Sequence, residues 1–289
     1  MRILILGGDG MLGHQLLKSW QGRHDVRVTL RQKRSRYEQY GLFNDANAFY
    51  GVDVCHFEAI EQVVRSFRPE AIVNAVGIVK QRPEADDAII SLEVNSLLPH
   101  RLSRLCGKIG ARLVHLSTDC VFSGSKGMYS EDNPEDARDL YGRSKLLGEV
   151  YDAHAVTLRT SIIGLELSRR KSLIEWFLAQ RGSLKGFRSA IYSGFTTEEM
   201  ARIIELVLLE EPALSGLWHV ASEPIDKFTL LSMLQDRLND GRRTVVEDEG
   251  FVCDRSLVGQ RFNEAVGYHA PAWSSMLDEL AVQIKERKH

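Results

Sequence analysis

The sequence predicts an α/β fold in which helices cover both faces of a doubly wound parallel sheet, with a small C-terminal region interleaved with it. Three observations predict this. Short aliphatic and β-branched runs alternate with amphipathic helical segments along the first half of the chain. Those runs are apolar on both faces, as strands are when helices pack above and below them. After Gly164 the alternation gives way to a mainly helical pattern. A chain of 289 residues suffices for one large unit or two closely joined ones.

The elements follow in order. RILIL (2–6) is the first strand and MLGHQLLKSW the first helix; DVRVTL (25–30) is the next strand and leads into a basic loop. The helical FEAIEQVVRSF precedes the strand AIVNAV (71–76), and LEVNSLLPHRLSRLCGKI reads as one helix. RLVHLST (112–118) is a strand that runs into a Gly-rich loop, followed by the helical YGRSKLLGEVYD and the strand VTLRTSII (156–163). Beyond it, SLIEWFLAQR is amphipathic, and a threonine N-cap signal opens the long helix in SGFTTEEMARIIELVLLEE. LWHVAS is a short strand, IDKFTLLSMLQDRL a helix, and PAWSSMLDELAVQIKERKH a charged terminal helix.

Bulk properties exclude several functions. The net charge of −2 indicates neither a nucleic acid nor a membrane surface as partner. The basic runs at 31–36 and 168–171 are short enough for solvated loops. Cys55, Cys106, Cys120 and Cys253 form no C-x-x-C pair, which argues against a zinc ribbon or a thioredoxin-like motif and fits a reducing compartment. MRILILGG is too short an apolar run for a signal peptide, and no segment approaches the length of a membrane-spanning helix. A cytoplasmic protein is expected. His, Asp and Glu form no metal cluster, and a homodimer is compatible with the sequence.

ILILGGDGMLGHQLL reads strand, Gly7-x-x-Gly10-x-x-Gly13, helix. The glycines permit a tight turn and close backbone approach to a pyrophosphate at the positive end of the helix. The fold is therefore expected to be of Rossmann type. An acid after the second strand would bond a ribose 2′-hydroxyl, whereas an arginine accommodates a 2′-phosphate. Arg31 stands there, with Lys33 and Arg34 beyond, so NADPH is expected and NADH is the alternative. Asp53 is placed at the adenine, and Asn74, Ala75, Val76 and Gly77 near the cofactor ribose.

Tyr141 and Lys145 lie four apart at the start of a helix, so both face one way. A free phenol has a pKa near ~10. An adjacent ammonium favours the phenolate, brings proton exchange toward neutrality, and can also hold a ribose. Ser117 and Thr118 can offer a hydroxyl to a substrate carbonyl.

The order of glycine turn, Asn-Ala-x-Gly, Ser-Thr-Asp and Tyr-x-x-x-Lys resembles the extended short-chain dehydrogenase/reductases along the whole chain. GGDGMLGHQL, STDCVFSG, KGMYSEDNP, LYGRSKLLGE, LRTSIIG and GLWHVASEPIDKFTLL are similar to dTDP-4-dehydrorhamnose reductases. That resemblance implies reduction of the 4-keto group of a nucleotide-linked 6-deoxyhexose with NAD(P)H, in sugar biosynthesis for cell-surface polysaccharide. It implies catalytic roles for Thr118, Tyr141 and Lys145, and cofactor roles for Gly7, Gly10, Gly13, Arg31 and Asp53. Met11, Leu12, Val54 and Asn95 join the expected cofactor set. Ser117, Asp119, Val121, Phe122, Thr160 and Ser161 form the expected substrate set. The expected division is an NADP-binding domain over 1–163, with 190–222 returning to it, and a substrate-binding region over 164–189 and 223–289.

Two departures bear on the substrate. Where such reductases show Arg-Thr-Ser-Trp, this chain has Arg159-Thr160-Ser161-Ile162, which keeps UDP-linked 4-keto-2-acetamido sugars open. The related 4,6-dehydratases read Ser-Thr-Asp-Glu, whereas here Cys120 replaces the glutamate, and a thiol is a poor C5 base. Cys120 is read as a mostly buried filler. Some proteins similar to these reductases bind NADP as regulatory subunits, as in the beta subunit of methionine adenosyltransferase, and that role is the alternative to catalysis. Asp119 either orients its loop or caps a turn. His115 and His219 read as core histidines, Glu131 and Asp132 as turn residues, and Trp176 and Phe177 as packing.

Overall fold

The computed structural model describes residues 1–80, 86–168 and 170–287. Arg169 of the basic run at 168–171 and the last two residues of the terminal helix lie outside the described residues. The chain begins β1 (Arg2–Leu6), α1 (Met11–Trp20), β2 (Asp25–Leu30), β3 (Ala48–Tyr50), α2 (Phe57–Phe67) and β4 (Ala71–Asn74). It continues with α3 (Ala88–Leu92), a π-helical turn (Glu93–Leu97), α4 (Leu98–Ile109), β5 (Arg112–Thr118), α5 (Leu140–Leu146) and β6 (Ala155–Thr160). The remainder is β7 (Ile162–Ile163), α6 (Leu173–Ala179), β8 (Gly182–Phe187), β9 (Ala190–Tyr192), β10 (Phe195–Thr196), α7 (Thr197–Leu209), β11 (Gly216–His219), β12 (Ile225–Asp226), α8 (Lys227–Leu238), β13 (Arg243–Asp248), β14 (Cys253–Asp254), α9 (Gln260–Val266) and α10 (Trp273–Glu286).

Two compact units result. The first comprises residues 1–117, 138–158 and 201–217. Its sheet has the order β11-β6-β5-β4-β1-β2-β3, the final residues of β5, β6 and β11 belonging to the second unit. The pairs from β3 through β2, β1 and β4 to β5 are parallel, with Leu6 opposite both Thr29 and Asn74. The chain winds from β1 outward through β2 and β3, then returns to place β4 on the other side of β1. The loops after β1 and β4 therefore flank the switch point, where open α/β sheets bind ligands. Leu4, Leu6 and Ile72 of the sheet pack with Ile60, Val64 and Phe67 of α2 and Leu98, Leu102 and Cys106 of α4. Burial pushes the Cys106 thiol up to about 12, an inert core residue.

Local chemistry sets the helix ends. Asp87 caps α3 by accepting from the Ile89 and Ile90 amides, and Asp139 caps α5 by accepting from the Gly142 amide. Gly110, at φ +70°, closes α4. AIVNAV leaves the sheet at Asn74, two residues earlier than its composition suggests, because Ala75 and Val76 turn toward the loop after β1.

The second unit comprises residues 118–137, 159–200 and 218–289. In it β8 and β13 pair in parallel along six residues, and α8 covers them with Leu230, Leu231, Leu234 and Leu238 buried. Smaller sheets, β10-β7 and β12-β9-β14, complete it. Asp226 caps α8 through the Thr229 amide at 2.8 Å. Among the described residues no helix is long and apolar enough to cross a membrane.

Candidate active site

In the first unit the glycine turn is built of backbone packed on backbone. Gly7 has φ +84°, and its amide donates to Thr29 Oγ1 at 3.3 Å. A Cβ on Gly13 would lie 2.1 Å from the Gly7 carbonyl oxygen, so only glycine fits where α1 meets β1. Gly10 is the N-cap residue of α1 and makes no side-chain cap bond. The first-turn amides of a ten-residue helix are thus left to an external acceptor. This cradle fits a dinucleotide pyrophosphate. Leu12 is buried beneath it, and Met11 is half-buried.

The expected cofactor residues gather around the turn. A Cβ on Gly7 would come 2.9 Å from Val76 Cγ2 and 3.4 Å from the Ala75 carbonyl, so the loops after β1 and β4 touch. Asn74 is fully buried; its Oδ1 accepts from the Val76 amide, and its Nδ2 donates to His115 Nδ1 at 3.1 Å. That bond leaves the His115 proton on Nε2, which has no hydrogen-bond partner in the described residues. Arg31 Nε stands 3.4 Å from Asp53 Oδ2, the arginine being 60% exposed and free to swing toward a ligand. Arg34 is instead held by Asp45 at 2.5 Å. Val54 packs against the core. Asn95 sits in the π-turn, where it accepts from the Ile78 amide and donates to the Ile78 carbonyl and to Ser144 Oγ. Gly77 packs beside it.

Tyr141 and Lys145 share a face of α5, as their spacing requires. Ser144 Oγ donates to the Tyr141 carbonyl at 3.0 Å and so ties the helix to Asn95. Lys145 is 5% exposed and donates from Nζ to the Leu116 carbonyl at 2.5 Å. Burial lowers its pKa to about 8, against the pull of the Glu149 carboxylate. Ser117 Oγ donates to Glu149 Oε1 at 2.6 Å.

The second unit holds the remaining expected residues. Thr118 Oγ1 donates to Asp119 Oδ1 and accepts from the Cys120 amide, both at 3.1 Å. Asp119 thus orients its loop, and its carbonyl also closes the turn onto the Phe122 amide. Burial raises the Asp119 pKa, opposed by the Arg255 charge and by hydrogen bonds from Cys120, Thr118 and Ser161. Thr160 is buried beside Ser161. Val121 and Phe122 are fully buried, and Phe122 stacks on Tyr129 at 4.2 Å. Their side chains belong to the interior. Cys120 is half-buried.

Sequence reasoning did not anticipate several residues. Tyr37 donates to Asp9 of the glycine turn at 3.3 Å and accepts from the Gln32 amide, so the loop after β2 is tied to the turn. Glu149 lacked any signal beyond its place after the Lys145 helix. Arg159, fully buried, pairs with Glu135, donates to His219 Nε2 at 3.3 Å and lies 5.4 Å over the Phe122 ring. His219 is a core histidine as expected: its Nδ1 donates to the Tyr129 carbonyl, and burial, then the Arg159 charge, lowers its pKa to about 4. Glu131 does more than turn the chain, since its carboxylate accepts from the His219 amide at 2.9 Å. Phe177 is buried, but Trp176 is 40% exposed, which corrects the packing expectation for that ring. Among the described residues no group of His, Cys, Asp and Glu could hold a metal.

With this geometry in view, the RmlD substrate binding domain model matches residues 1–233. The chain belongs to that family. Relatives of this family member include dTDP-4-dehydrorhamnose reductase of Aggregatibacter actinomycetemcomitans, 26% identical over 233 residues that cover 77% of the chain and 74% of the relative. Methionine adenosyltransferase 2 subunit beta of Mus musculus is 29% identical over 155 residues, 51% of the chain, and the match spans only 41% of that subunit. The solved dTDP-4-dehydrorhamnose reductase of Bacillus anthracis, in complex with NADP, superposes with a TM-score of 0.77 at 20% identity, covering 98% and 99% of the two chains. At that identity the structural likeness establishes the α/β doubly wound fold.

Proposed function

We propose that the chain is an NADPH-dependent ketoreductase that reduces the 4-keto group of a nucleotide-linked deoxysugar, in sugar-nucleotide biosynthesis for cell-surface polysaccharide. The observation that carries this reading is Lys145, a buried ammonium seated on the end of β5 one helical turn from Tyr141. The glycine turn lies at the same end of the same sheet. The chemistry supplied by a dinucleotide held there is a hydride for the carbonyl carbon. Tyr141 donates its phenolic proton to the carbonyl oxygen, so one hydride and one proton convert ketone to alcohol. Lys145 holds the ribose and stabilises the phenolate left behind. The resemblance assigns Thr118 as the hydroxyl for the substrate carbonyl, a role that requires its donor to turn from Asp119 Oδ1 to the substrate. Arg31 receives the 2′-phosphate, and NADH is the alternative cofactor.

The test is NADPH consumption with dTDP-linked and UDP-linked 4-keto sugars. Tyr141→Phe should lower turnover at least ~10²-fold with NADPH affinity kept. Wild-type turnover in that variant would remove Tyr141 as the acid. The similarity to methionine adenosyltransferase 2 subunit beta favours a second reading, a subunit that binds NADP without turnover. NADPH binding with no consumption on any such sugar would establish that reading instead.

A further inference from the structure

Neighbouring residues at the end of β5 bond two different charged side chains. The Leu116 carbonyl accepts from Lys145 Nζ at 2.5 Å, and Ser117 Oγ donates to Glu149 Oε1 at 2.6 Å. Lys145 and Glu149 are 5% and 3% exposed. The chain turns back between them: the Gly148 amide bonds the Lys145 carbonyl, and the Glu149 amide bonds the Leu146 carbonyl. That turn has no slack, because a Cβ on Gly148 would lie 1.9 Å from the Asn95 carbonyl oxygen. Tyr151 also reaches the carboxylate, donating to Glu149 Oε2 at 3.3 Å.

A buried ammonium is costly unless an opposite charge shares its surroundings. Among the described residues, the other titratable groups near Lys145 do not supply one. His115 of β5 is held neutral by burial and by the charges of Lys145 and of His100 on α4. His100 itself bonds the Leu147 carbonyl at 2.8 Å. Tyr141, on the Lys145 helix, is the proton donor. The opposing negative charge acting on Lys145 is Glu149.

We propose that Glu149 is a positioning residue, the counter-charge that keeps the Lys145 ammonium protonated and seated on Leu116, with Ser117 as its anchor. The proposal rests on the ketoreductase reading and adds to it the group that sets the charge of Lys145. Without the carboxylate, Lys145 sheds its proton closer to neutrality. It then loses both its charged grip on the ribose and its influence on Tyr141.

The experiment compares the unmodified chain with Glu149→Gln, Glu149→Asp and Ser117→Ala. NADPH affinity is measured by fluorescence titration, and kcat/KM alongside it, across about pH 6 to 9.5, the range bracketing a lowered lysine pKa. Both quantities should decline along one alkaline limb belonging to the coupled groups. Glu149→Gln should move that limb roughly one to three pH units toward acid, so that affinity near pH 8 falls about tenfold or more while the value near pH 6 changes far less. Glu149→Asp should lie between the unmodified chain and Glu149→Gln, and Ser117→Ala should move the limb less. Should Glu149→Gln fail to fold, Glu149→Asp alone carries the comparison. An unmoved limb, with activity lowered equally at every pH, overturns the proposal. The affinity series needs no sugar substrate, so a chain that binds NADPH without reducing any 4-keto sugar refutes the reductase reading yet still decides the role of Glu149.

Discussion

Replacing Gly13 by alanine should damage both folding and cofactor binding, and the structure gives the scale. The added Cβ would lie 2.1 Å from the Gly7 carbonyl oxygen, 2.8 Å from its carbon and 3.0 Å from the Gly8 Cα. All three neighbours are backbone, so no rotamer change relieves the overlap. Carbon–oxygen contacts settle at about 3.3 Å, so α1 must withdraw from the turn by roughly 1 Å. Overpacking of this kind costs about 1–3 kcal/mol, and backbone displacement puts Gly13 at the upper end. At about 2–4 °C per kcal/mol, the expected fall in Tm is about 6–12 °C. The N-terminal amides of α1 move with the helix, and a misplacement of about 1 Å can cost on the order of 100-fold in a positioned interaction. NADPH affinity should drop by about that factor. Gly10→Ala is the internal control, since its Cβ would stand 3.2 Å from the same oxygen. It should melt within about 4 °C of the unmodified chain, consistent with a cost near 1 kcal/mol, whatever it does to affinity. Scanning calorimetry and fluorescence titration read the two effects separately. A Gly13→Ala protein that melts and binds like the unmodified chain would refute the reasoning.

Other expectations concern specificity, reactivity and pH. Arg31→Ala should erase most of the preference for NADPH over NADH in paired titrations while leaving NADH affinity nearly unchanged; equal affinities in the unmodified chain would sink the assignment. Cys120→Ser should retain most ketoreductase activity, and the unmodified chain should form no 4-keto-6-deoxy product from dTDP-glucose by mass spectrometry. Detection of that product with no net NADPH change would indicate a dehydratase. His219 is neutral in the fold with a pKa of about 4, whereas an unfolded histidine titrates near ~6.5. Between those values the unfolded chain binds the extra proton, so this contribution is complete above about pH 6.5 and is lost toward pH 4, on the order of 3 kcal/mol. Urea unfolding of His219→Gln should lack that component, and an identical pH profile in the variant would exclude it.

The Rossmann half was legible because its signals are local. The glycine turn stands between a strand and a helix, and Tyr141 and Lys145 are one helical turn apart, so spacing alone places them. The π-turn at 93–97 was not legible: LEVNSLLPHRLSRLCGKI keeps an apolar stripe through it, and no residue type marks the extra backbone position. Arg159 finds Glu135 and His219 at separations of 24 and 60 residues, and such long-range pairs leave no periodic trace. Glu149 was hidden for a different reason, since a carboxylate after a helix ordinarily faces water. Trp176 was misread because an amphipathic stripe gives the buried face without its exact width. Val121 and Phe122 follow the Ser-Thr-Asp run, and the depth to which their side chains are buried was not legible from that proximity in sequence.

The π-turn has a consequence for how this chain tolerates length changes. Five residues close a ring that an α-helix closes with four, so the turn carries one surplus residue, and everything beyond it is out of phase with α3 by about 100°. Asn95 grips Ile78 and Ser144 only from that phase. Deleting a single residue between Glu93 and Leu97 would yield a smoother, more regular helix with the same apolar content. It would also rotate either Asn95 or the buried face of α4 away from its partners. A substitution at the exposed Leu97 leaves those grips and the phase intact, whereas a one-residue deletion anywhere in the stretch shifts every contact beyond it.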